Sequence, residues 1–158
     1  MADKIYYDVQ ATGTSATTIS FFTHTEKADG ITVTNLTEAN KLDRDFTLRK
    51  LELIPAGDIT ASDAQKLMEN AVIEVKVNNQ RMIVIPAALA LTSAGIEFYP
   101  DAGSSGTSTY TKLASTLDGY EFSEPVAIPA GTRFEVELHL GSAFGTDTNL
   151  TVVLHGSE

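Results

Sequence analysis

The chain contains no cysteine. That excludes a disulfide framework and any thiolate-based zinc site, so stability must come from a packed core or from assembly. Tryptophan is also absent, which removes the side chain on which sugar-binding modules most often stack their ligand. Basic residues are scarce: 11 Lys and Arg stand against 21 Asp and Glu, for a net charge of -10. A surface of that sign repels phosphate backbones and anionic membranes, so neither direct nucleic-acid binding nor membrane insertion is expected. The longest apolar run, residues 82–91, is interrupted by Pro86 and is far shorter than a bilayer span. The opening MADKIYYD lacks a basic and then apolar leader, so no signal peptide is expected. Without one, the two glycosylation-type triplets at Asn35 and Asn149 read as coincidence.

What is present is β-patterning. In residues 122–140, Phe134, Val136, Leu138 and Leu140 alternate with Arg133, Glu135, Glu137 and His139. Such alternation puts one face of an antiparallel sheet on a core and the other on water or a partner. The segment reads as a strand, a tight Pro129-Ala130-Gly131 turn and a second strand, a hairpin by its spacing. Further strands are expected at 5–10 (or an extended arm there), 19–22, 31–34, 46–54, 72–77, 80–85, 96–99 and 150–155. In the 46–54 strand, Phe46 and Leu48 share one parity and Leu51 and Leu53 the other. One extra residue near Arg49-Lys50 reconciles them, which predicts a β-bulge; the alternative is a strand buried on both faces at its far end. Asn78-Asn79 between two strands predicts a two-residue type I′ hairpin, because asparagine tolerates positive φ. Residues 61–71 form the one good helix, with Ser62 and Gln65 as a capping box and Ala64, Leu67, Met68 and Ala71 on the core face. Residues 37–42 suit a turn, and 101–109 a flexible excursion.

About eight strands joined by several long connections fit a Greek-key crossing better than a meander. The expected fold is all-β: one jelly-roll barrel or sandwich over residues 1–158, with one short inserted helix near 62–71 and residues 1–17 available as an N-terminal arm.

Chemistry is sparsely written. The histidines are His24, His139 and His155, with no His-X-His or His-Glu-X-X-His pair, so no metal centre and no cofactor is expected. The Pro-Ala-Gly turn resembles the turn of cupin enzymes, but Phe134 follows it where a histidine is needed. No Gly-X-Ser-X-Gly elbow and no phosphate-binding glycine loop occurs. Glu135 and Glu137 have a spacing that suits glycoside chemistry, yet a solvated face is the simpler account. The chain is not expected to be an enzyme.

The closing third, YEFSEPVAIPAGTRFEVEL followed by residues 149–156, resembles the end of a viral jelly-roll coat protein. The 46–54 strand and the helix after it are similar to elements of the small single-jelly-roll capsid proteins of tailless, membrane-containing icosahedral bacteriophages, or of phage cement and decoration proteins. The resemblance implies a virion component whose partners are itself and other capsid proteins. Because genome-contacting coat proteins usually carry a basic arm and this chain opens with MADKIYYD, an outer layer is the expectation. Candidate contact residues, chosen as aromatics expected to be exposed, are Tyr6, Tyr7, Phe22, Tyr99 and Tyr110. The alternative is a carbohydrate-binding or receptor-binding sandwich that uses its tyrosines as platforms.

Overall fold

A computed structural model of the chain describes residues 2–25, 34–92 and 118–158. The strands expected at 31–34 and 96–99 and the excursion at 101–109 fall largely or wholly outside these residues. Eight strands and two helices are described: β1 (Asp3–Ala11), β2 (Thr18–Phe21), β3 (Phe46–Pro55), α1 (Ala61–Glu69), β4 (Ala71–Val77), β5 (Gln80–Pro86), α2 (Ala87–Ala90), β6 (Tyr120–Ile128), β7 (Phe134–Leu140) and β8 (Asn149–Ser157). No helix among the described residues is long and apolar enough to cross a membrane.

The strands form two four-stranded antiparallel sheets, a first of order β1-β8-β3-β6 and a second of order β2-β7-β4-β5. That order has a simple origin. β1 pairs with β8, β2 with β7, β3 with β6 and β4 with β5, as in one long hairpin whose tip is Asn78-Asn79. Wound on itself, the ribbon sets β8 beside β3 and β7 beside β4. Alternate pairs of the ribbon therefore fall in opposite sheets, which is the jelly roll.

The tip has the expected geometry, with φ of 52° at Asn78 and 64° at Asn79. The bulge is also where the parity slip put it, the register of β3 shifting between Leu48 and Lys50 on both of its neighbours. Residues 5–10 take the strand alternative rather than that of a draped arm, since β1 pairs with β8 of its own chain along its whole length.

Three expectations are corrected. The stretch 122–140 is not a hairpin: β6 and β7 lie in different sheets, and the turn between them crosses the sandwich. Ile128 and Phe134 both point into the core, so the same in-out alternation serves two strands that face each other. The crossing is held by the 40–45 segment rather than by a ladder. Ala130 N–H donates to Asp45 Oδ1 (2.8 Å), Gly131 N–H to the Leu42 carbonyl (2.9 Å) and Phe134 N–H to the Asn40 carbonyl (2.9 Å). Second, the helix cap is Thr60, whose hydroxyl accepts the Asp63 N–H at 3.1 Å, not Ser62. The helix stops at Glu69, and Ala71 begins β4. Ala64 and Leu67 are buried, but Met68 is 39% exposed. Third, a second short helix, α2, follows β5 where the sequence reading had none.

The core fills the space between the sheets. Alternate residues supply it: Leu150, Val152 and Leu154 from β8, and Phe134, Val136 and Leu138 from β7, all fully buried. At Gly156 the inward position has no side chain, and the Phe46 ring occupies the gap, packed edge-on against Tyr6 with centroids 5.1 Å apart.

Candidate functional site

The outer face of the second sheet carries a closed ionic network. β4 turns Val72, Glu74 and Lys76 outward, and β7 turns out Glu135, Glu137 and His139. Glu74 is the centre of it and is only 2% exposed. His139 Nε2 lies 3.1 Å from one carboxylate oxygen, Lys76 Nζ 3.6 Å from the same oxygen, and Arg81 of β5 bonds the other. Burial pushes the Glu74 carboxyl up, but His139, Arg81 and Lys76 outweigh it and hold it below the ordinary carboxylate value. Lys76 also donates to Glu137 Oε1 at 3.1 Å. Arg133 donates to Glu135 Oε1 at 3.0 Å and holds that carboxyl low. Glu135 and Glu137 are thus each engaged by a cation, which is a structural arrangement rather than an acid–base pair facing a cleft.

Replacing Glu74 by Gln is expected to cost about 1–2 kcal/mol at pH 7, since Lys76 and Arg81 lose their counter-charge but keep access to water. The urea midpoints of the two proteins report it. Because the carboxyl is depressed, the difference is full above its ordinary value of 4.5 and shrinks as pH falls below that.

The other two histidines follow the same rule of one carboxylate each. His155 Nε2 is 3.1 Å from Glu52 Oε1 on the outer face of the first sheet, though not aligned as a hydrogen bond, and Lys50 there bridges Glu52 and Asp118. His24 Nε2 is 3.3 Å from Asp8 Oδ1, though not aligned as a hydrogen bond. Asp8 is fully buried on β1. Its Oδ2 accepts the Phe22 N–H at 2.8 Å and the Gln10 amide at 3.3 Å. Burial raises the Asp8 carboxyl against these hydrogen bonds and the nearby His24. The Phe22 contact stabilises a positive φ of 60° that a phenylalanine rarely adopts. The three histidines therefore occupy three different places. Among the described residues no group of three or more His, Asp or Glu is placed to hold a metal ion.

Of the candidate contact residues, Tyr6 is 3% and Phe22 0% exposed. Both belong to the core, so neither is an exposed aromatic. Tyr6 donates its hydroxyl to Glu158 Oε1 at 2.9 Å, and burial, then Glu158, raises its pKa. Phe22 packs against Phe134 at 5.5 Å. Tyr7 is half-buried on β1. Tyr99 and Tyr110 lie outside the described residues.

The sequence reading missed a groove on the side of the sandwich where β5 and β6 are the edge strands. It has a volume of about 370 Å³ and is lined by Met82, Ile83, Val84 and Ile85 from β5 and by Tyr120 and Phe122 from β6. Glu124 is its one charged lining residue. Met82 and Val84 are 46% and 43% exposed, while Ile83, Ile85 and Tyr120 lean on the core from this side. The apolar run at 82–85 was the available signal, but its exposure depends on β5 being an edge.

No protein-family model, no curated protein and no solved structure matches this chain.

Proposed function

We propose that the chain is a structural virion protein, a jelly-roll coat subunit that tiles an icosahedral phage shell or cements one from its outer layer. The observation that carries this reading is the strand order, β1-β8-β3-β6 against β2-β7-β4-β5, an architecture used by viral capsid domains. The net charge of -10 supports an outer position, away from nucleic acid. In this reading the chain is not an enzyme and takes no cofactor. Its partners are further copies of itself and other capsid proteins, held by buried faces and paired edges.

The test is light scattering over a wide concentration range, with negative-stain microscopy of the same samples. Concentration-dependent assembly into regular oligomers or shells is the expected result. A chain that stays monomeric at its solubility limit and binds no purified phage particle overturns the proposal. Monomers that retain defined glycans on an array favour the carbohydrate-binding alternative instead.

A further inference from the structure

Resting on that assembly reading, we infer that the outer edge of β5 is a docking strand, and that its occupant is β5 of a second copy, added antiparallel so that two second sheets become one. A sheet edge presents unpaired N–H and C=O groups, and natural proteins blunt such edges by covering, shortening or charging them. The four edges here are treated differently. That of β1 is covered: Tyr7 N–H donates to Asn35 Oδ1 (2.9 Å), Asn35 Nδ2 to the Ile5 carbonyl (2.8 Å), and Asp8 bridges Thr34. β2 has only four residues. β6 carries Glu121, Glu124 and Pro125 within the strand.

β5 is the exception. Among the described residues it pairs only with β4. Its one charge, Arg81, is turned onto Glu74. A register shift leaves Met82 as an extra residue, and Pro86 closes the strand, so the flat stretch is residues 83–85, flanked by exposed Met82. No carboxylate lies on this strand in a chain of net charge -10. Two copies can therefore meet along this edge without setting carboxylate against carboxylate, which is what favours a second copy as the occupant. Backbone pairing supplies the hydrogen bonds and the alternate apolar side chains the register. Antiparallel addition about a two-fold axis keeps the inward faces on one side. The second copy's Ile83 and Ile85 then close the mouth of the groove over Tyr120 and Phe122.

The test replaces Met82 and Val84 together by Lys, both at exposed positions, and follows self-association of the full chain by sedimentation. A control carries the same two added charges at exposed Ser15 and Ser20. The added lysines reduce the net negative charge, so general repulsion alone predicts stronger association in both proteins. Edge pairing predicts at least about a tenfold weaker association for the β5 variant only, because like charges are brought opposite one another. In the wild type, amide exchange at residues 83–85 is expected to slow as concentration rises. Unchanged or stronger association of the β5 variant, with its melting temperature retained, overturns the docking edge and leaves the assembly reading standing. Equal loss in both proteins also overturns it. A wild-type chain that never associates overturns the docking edge, and one that also binds no purified phage particle overturns the assembly reading with it.

Discussion

Replacing Gly156 by Ala is expected to destabilise the chain by about 3 kcal/mol or more, the upper range for forcing a methyl group into a packed interior. A Cβ at this position meets the Thr47 carbonyl oxygen at 2.0 Å and the Phe46 ring at 2.7 Å. The first of these is backbone in the partner strand, since Leu48 pairs with Gly156. The strands must part for the methyl group to enter, and β8 lies between β1 and β3, so the disturbance reaches both ladders. For a domain of this size the loss corresponds to a drop of roughly 6–12 °C in melting temperature. Trimming the ring does not relieve it: Phe46→Leu combined with Gly156→Ala is expected to be less stable than either parent, because the carbonyl contact persists. Gly57→Ala is the matched control. Nothing lies within 4 Å of its added Cβ, and its effect is expected to stay within about 0.5 kcal/mol. Equal melting temperatures for the Gly156 and Gly57 variants would refute the packing argument.

The second large effect is expected at Asp63. This carboxylate, 1% exposed on α1, accepts the Gly145 N–H at 2.9 Å and the Thr146 N–H at 3.1 Å. It also accepts Lys66 Nζ at 3.2 Å, and Lys66 donates onward to the Ala143 carbonyl at 2.9 Å. One side chain thus fastens the β7–β8 connection to the helix. Asp63→Ala leaves two backbone donors unpaired and a lysine half-released, a loss of about 3 kcal/mol at pH 7. Burial raises the Asp63 carboxyl, but the bonds from Gly145, Lys66 and Thr146 more than reverse this and leave it below its ordinary value of 3.8. A depressed carboxyl contributes its full stability above that value and loses it as pH falls further. The gap in unfolding free energy between wild type and variant is therefore constant near neutrality and narrows below about pH 4. Amide exchange at Gly145 and Thr146 is expected to accelerate in the variant out of proportion to the global loss. A gap that widens on acidification would contradict the assignment.

Features that depend on neighbours in the chain were legible in the sequence. The parity slip between Phe46-Leu48 and Leu51-Leu53 located the bulge, and Asn78-Asn79 located the ribbon's tip. Each is a local conflict or preference with a cheap local resolution. Features that depend on which strand lies opposite were not legible. Alternation fits Ile128 and Phe134 equally well to a hairpin and to a crossing between sheets, because only the hydrogen-bond partners differ. Thr60 and Ser62 are equally good hydroxyl caps, and the choice between them goes with Asp63, whose partners Gly145 and Thr146 are 82 and 83 residues away. The Glu74 network has the same origin. Val72, not Glu74, sits opposite His139 in the ladder, so the Glu74–His139 contact is a diagonal one that exists only once the register is set. Phe22 belongs with these: nothing adjacent in the sequence shows that its N–H meets Asp8, 14 residues away, or that its ring packs against Phe134.

The strand order also constrains the timing of folding. β7 and β8 come last among the described strands, yet each is an inner strand of its sheet, with β7 between β2 and β4 and β8 between β1 and β3. Among the described strands, β1 and β2 have no ladder partner until β7 and β8 emerge, and a nascent chain can form the β4–β5 ladder and then the β3–β6 ladder. Closure therefore waits on contacts of very long sequence separation, which slow folding. A stall in synthesis after residue 128 would leave the inner flanks of β2, β4, β1 and β3 open at once, four unpaired edges on one chain, for other nascent chains to find.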